Sequence, residues 1–130
     1  MGQPERPAHG DAKPTSAAVA LCIQGTQAEF ERRLDDARQL FKQAWDAAVD
    51  DHDACVAAHY VAHLEEDPHR ALHWDQVALE RARRCGDARV EGYLPSLYVN
   101  LGKSHERVGD RQRAEEFYAL AASLGLVHQD

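Results

Sequence analysis

Strand signals are missing from this chain. No stretch alternates β-branched residues with polar ones, which excludes a fold built on a sheet. Proline and glycine are scarce, at 5 and 8 residues, and several lie in the first 14 positions. The remainder is dense in Ala, Leu, Glu, Arg and Gln, which form helices readily. Only three cysteines are present, Cys22, Cys55 and Cys85, far apart and without a CxxC spacing. That excludes a disulfide framework and a zinc ribbon, and reads as small apolar residues in a reducing compartment. No apolar run approaches the length of a membrane span, and no charged region followed by an apolar segment opens the chain. No membrane partner and no signal peptide are therefore expected, and the expected location is cytoplasmic. Basic residues are outnumbered, 15 against 22, for a net charge of −7. Nucleic-acid binding depends on neutralising phosphates, so a nucleic-acid partner is not expected. GxGxxG, P-loop, HExxH and GxSxG patterns are all absent. The expectation is a protein that is not an enzyme and has no cofactor.

What is present is a spacing that occurs twice. Gly25 is followed 12, 16 and 19 residues later by Ala37, Phe41 and Ala44, and Gly102 at the same intervals by Ala114, Tyr118 and Ala121. Small residues and one aromatic at these intervals describe two helices packed closely as a hairpin. A repeated hairpin points to a helical solenoid, in which each unit buries one face on its neighbour and a surface is left over for holding something else.

Punctuation along the chain agrees with an all-α class. Residues 1–14, MGQPERPAHGDAKP, read as a disordered N-terminal tail. Helical periodicity starts near Thr15, a candidate N-cap. Helices are predicted near 15–30, 34–49, 53–65, 68–84, 88–107 and 111–124, the fifth kinked or restarted at Pro95. Asp67 before Pro68, Gly86 before Asp87, and Gly109 before Asp110 are helix-boundary pairs.

Residues 15–128 resemble a single domain of tetratricopeptide repeats. Tyr98, Leu101 and Gly102 resemble the aromatic-x-x-Leu-Gly start of that repeat, Gly109 its inter-helix turn, and Ala114, Tyr118 and Ala121 its second helix. With the family period of about 34 residues, units start at Ala18 and His52, and nine extra residues precede a third at Pro95. Several positions depart from the pattern. Arg32 replaces the turn glycine of unit one, His59 and Asp75 occupy the small and aromatic positions of unit two, and His105 stands where an aromatic or Leu is usual. The resemblance implies a right-handed α-α superhelix of helical hairpins whose concave wall, lined by the first helix of each unit, holds a peptide or helix of a protein partner. Matching wall positions include Ile23, Thr26 and Phe30, then Val56, Tyr60, His63 and Leu64, then Val99, Asn100, Lys103 and Glu106. Phe30, Tyr60, His63, Asn100, Lys103 and Glu106 are the expected partner-binding residues. The carboxylate clamp of some family members is absent, since its places hold Cys22, Thr26, Ala57, Ser96 and Asn100.

Two other functions stay open at this point. One is a regulatory or ligand-sensing module acting with a separate effector. The other is a metal-binding protein. His59/His63 and His69/His73 are i,i+4 pairs able to share a metal. In the repeat pattern, His59 also falls beside Asp75, which predicts a hydrogen-bonded pair with a raised histidine pKa and His63 as a further ligand. Equally, all of these histidines can be packing or surface residues. Finally, Phe117, Leu120, Ala121 and Leu124 form an apolar stripe on the last helix, expected to be core first. Left uncovered, it would make the protein a homodimer.

Overall fold

The computed structural model describes residues 15–125. The tail expected over 1–14, and residues 126–128 of the last unit, lie outside them. Every element among the described residues is helical: α1 (Ala17–Phe30), α2 (Leu34–Ala47), α3 (Asp51–His63), α4 (Pro68–Cys85), α5 (Ala88–Glu91), α6 (Leu94–Arg107) and α7 (Arg111–Ser123). Short connections fold α1 on α2, α3 on α4, and α6 on α7 as hairpins. The packing then runs from hairpin to hairpin, α2 and α1 onto α3, and α4 onto α6.

Helix ends follow cap chemistry. Asp67 and Asp87 accept backbone N–H bonds in the first turns of α4 and α5, and Gly86 closes α4 at φ 64°, as their pairing in sequence predicts. Two boundaries differ from the sequence reading. Ser16, not Thr15, caps α1, its Oγ accepting from the Val19 amide at 3.1 Å. The long fifth helix is two helices, interrupted at Gly92 and Tyr93 rather than at Pro95. Pro95 sits in the first turn of α6, where its missing N–H leaves no intrahelical bond unmade.

The hairpins close through glycine. Gly25 is buried on α1 against the Phe41 ring of α2, and Gly102 on α6 against the Tyr118 ring of α7. Phe41 is fully buried and stacks on Tyr60 at 5.1 Å, which ties the first hairpin to the second. Trp45 and Trp74 meet edge to face at 5.1 Å across the same junction. Val90 of α5 is 1% exposed and plugs the cluster formed by Cys55, Ala58, Ala78, Ala82 and Leu97. The α7 stripe is only half core. Ala121 is buried, whereas Leu120 and Leu124 are 42% and 50% exposed.

The turn between α1 and α2 carries strain that its counterpart avoids. Arg32 has φ 67° and Gly109, seven residues after Gly102 as Arg32 is after Gly25, has φ 88°. Both turns make the same pair of backbone bonds, Arg32 N to Glu29 O and Arg33 N to Ala28 O, then Gly109 N to Glu106 O and Asp110 N to His105 O. A side chain in the left-handed region costs about 1 kcal/mol, partly offset by glycine's greater freedom when unfolded. Arg32→Gly is therefore expected to raise stability by about 0.5–1 kcal/mol in urea denaturation. A loss of stability would show that the Arg32 side chain contributes more than its backbone costs.

Candidate functional site

The second hairpin is built differently from the other two, and the difference makes a cavity. His59 and Asp75 are separated by the same 16 residues as Gly25 from Phe41 and Gly102 from Tyr118. Where the other hairpins seat a large ring on a glycine, this one pairs an imidazole-bearing position with a short carboxyl. The space is a groove of about 290 Å³ between α3, α4 and α6, lined by His59, Ala62, His63, Asp75, Asn100, Lys103, Ser104 and Arg107.

Hydrogen bonds fix the polar floor. Ser104 Oγ donates to Asp75 Oδ2, both residues being buried. Asn100 Nδ2 donates to His59 Nδ1 at 3.3 Å, which leaves the His59 proton on Nε2. Arg107 donates one N–H to the Glu66 carbonyl at 3.3 Å. Lys103 is exposed and makes no ion pair with any described residue. His63 Nε2 lies 2.9 Å from Glu29 Oε2, tying the groove wall to α1.

The electrostatics follow from burial. Desolvation lifts the Asp75 carboxyl from 3.8 to about 6, against the opposing pull of the Ser104 hydroxyl and the Arg107 charge. Burial lowers the His59 pKa, with the nearby His63 adding to the effect. The pair expected between His59 and Asp75 does not form. Each has found a partner on α6 instead, and His59 is driven toward the neutral form rather than the imidazolium. His63 is engaged with Glu29, so His59, His63 and Asp75 are not gathered as ligands.

No protein-family model matches this chain, and no curated protein matches it.

Of the six partner-binding residues expected from sequence, His63, Asn100 and Lys103 line the groove, together with the candidate ligands His59 and Asp75. The other three lie elsewhere. Phe30 is 84% exposed at the end of α1. Tyr60 is half-buried against Phe41 and His59. Glu106 accepts from the Tyr118 hydroxyl at 2.9 Å. Sequence reasoning overlooked Ser104 as the partner of Asp75, and Arg107. The signal for Arg107 was its place one turn beyond Lys103, on the same helix face. Ser104, Asp75 and His59 share the groove but not a proton relay, because Ser104 bonds directly to the carboxyl and His59 bonds to Asn100.

Ligand-type atoms do converge within 4.8 Å at Asp50, His52 and Asp53. This cluster is accounted for by the start of α3. Asp53 accepts from Ser16 Oγ at 2.8 Å and from the Val49 amide at 3.2 Å, while the Asp53 amide donates to Asp50 Oδ1 at 2.8 Å. A larger concavity of about 610 Å³ beside Trp45 is also satisfied internally. There Arg81 pairs with Asp51 at 3.2 Å and lies over the Trp45 ring at 5.4 Å. His105 is 4% exposed and stacks on Phe117 with ring planes 8° apart, taking the place of an aromatic. Its Nδ1 has no hydrogen-bond partner among the described residues and lies 4.0 Å from Asp110 Oδ2. Among the described residues no helix is long and apolar enough to cross a membrane.

Proposed function

We propose that this chain is a non-catalytic interaction module of the tetratricopeptide type, three hairpins wound as a right-handed superhelix, that holds an extended peptide of a protein partner in the groove between its second and third hairpins. The groove supports this reading. It is walled by α3 and α6, the first helices of their hairpins, and it carries side chains whose polar atoms are committed on one side and open on the other. An extended peptide presents alternating N–H and C=O groups, and the Asn100 amide and the His59 Nε2–H can pair with them. The glycine–aromatic contacts at matching places in the first and third hairpins support the repeat character. On this proposal the protein works in the cytoplasm without a cofactor. A homodimer would form through the exposed Leu120 and Leu124 of α7.

The test is a quantitative pull-down from native lysate. Asn100→Ala, which removes one groove hydrogen-bonding group, is expected to lower capture of the partner about ten-fold, in line with 1–1.5 kcal/mol for such a bond. Arg83→Ala, on α4 outside the groove, is expected to leave capture unchanged. Equal capture by all three proteins would overturn the groove reading.

A further inference from the structure

We infer that the groove takes an acidic side chain of the partner segment, its carboxylate held between Lys103 and Arg107; this rests on the groove being the peptide site. Each charged group facing the groove can be assigned. From α3 come His59, neutral and bonded to Asn100, and His63, which faces Glu29 of α1. From α4 comes Asp75, bonded to Ser104. From α6 come Lys103, without an ion-pair partner among the described residues, and Arg107, which spends one N–H on a backbone carbonyl and keeps the rest of its fork. Glu66 is not a counter-charge here, because its carboxylate pairs with Arg38 at 3.1 Å on the outer side. Two cations thus face one buried carboxyl, in a chain whose net charge is −7.

Donors are also in surplus. The Lys103 ammonium, the free Arg107 N–H groups and the His59 Nε2–H have no acceptor among the described residues. A carboxylate has two oxygens and about four lone-pair sites to offer them. Asp75 is the one carboxyl among the described residues that line the groove, and it lies in the range where it takes up a proton at mildly acid pH. These cations lie on α6 beyond the positions Ser96 and Asn100 that a carboxylate clamp would use, so the site is a different one.

The experiment is an NMR titration of the whole protein with acetylated, amidated tetraglutamate, tetraglutamine and tetralysine, and with sodium succinate. The Asn100 side-chain amide and the His59 ring serve as reporters. Tetraglutamate is expected to shift both reporters, and tetraglutamine and tetralysine are not. Lys103→Gln and Arg107→Gln are each expected to weaken tetraglutamate binding about five-fold, and the double variant about twenty-five-fold. Asp75→Asn is expected to tighten binding at pH 7.5 several-fold and to flatten its rise toward pH 5.5. Equal shifts with tetraglutamine would overturn the carboxylate inference and leave peptide binding in the groove intact. Succinate binding as tight as tetraglutamate would overturn the assignment to a chain segment. Silence toward tetraglutamate overturns the inference outright, and peptide binding in the groove then stands or falls with the Asn100→Ala pull-down.

Discussion

Gly25→Ala is expected to destabilise the protein by about 3 kcal/mol, although the same change in an open helix stabilises by about 1 kcal/mol. A Cβ at Gly25 would fall 2.6 Å from Phe41 Cδ1. Phe41 is 0% exposed, clusters with Ala28, Ala37 and Val61 and stacks on the Tyr60 ring, so moving it aside breaks several buried contacts at once. Gly102→Ala makes an equally close approach, 2.7 Å from Tyr118 Cδ1. Tyr118 is half-buried, and its ring can yield only by giving up the hydrogen bond from its hydroxyl to Glu106. The third hairpin is therefore expected to lose about 2 kcal/mol, less than the first. Urea denaturation of both variants tests the contrast. If Phe41 is the obstacle, Gly25→Ala combined with Phe41→Leu is less unstable than the sum of the two single changes. Additivity, or a stabilising Gly25→Ala, would mean that the ring does not seat on the glycine.

Asp75→Asn is expected to stabilise the protein at pH 7.5 by about 2 kcal/mol, the advantage shrinking toward zero near pH 4. The sign comes from linkage. The folded carboxyl titrates near 6 and the unfolded one near 3.8. Between those values the folded state holds more protons, so stability falls as pH rises through that window and stays low above it. At about 1.4 kcal/mol per pKa unit, the charged Asp75 costs up to about 3 kcal/mol at neutral pH. Asparagine keeps the shape and an acceptor for Ser104 without the charge. His59 works in the opposite direction. Its lowered pKa gives stability that is complete above its ordinary value and is lost as pH falls below it. Removing Asp75 should thus expose a stability that declines on acidification. Denaturation midpoints from pH 4 to 7.5 read both effects, and a pH-independent difference between parent and variant would contradict the burial of the Asp75 charge.

The all-helical fold was legible because its signals are local. Aspartates at N-caps, glycine at the end of α4, and small residues at the Gly25 and Gly102 spacings act within a few turns of the chain. The choice of Ser16 over Thr15 was not legible, since either hydroxyl suits a cap and the long-range bond from Ser16 to Asp53 decides between them. The break at Gly92 was obscured by Pro95, a stronger breaker in isolation that is harmless in a first turn. His59 and Asp75, which stand at the spacing of the glycine–aromatic pairs in the other hairpins, both line the groove. The chemistry there depends on α6, which no spacing within the second hairpin describes. Ser104 is two positions after Gly102 and looks like an ordinary helix-surface hydroxyl until the third hairpin docks on the second.

That docking is direct, α4 on α6, and it is tied down by α5. One turn of helix, capped by Asp87, links the helix carrying Asp75 to the helix carrying Asn100, Lys103, Ser104 and Arg107, and its buried Val90 shares one cluster with Ala78 and Ala82 of the first and Leu97 of the second. Val90 lies outside the groove lining, so the volume of this one side chain reaches the site from a place that never touches what is bound.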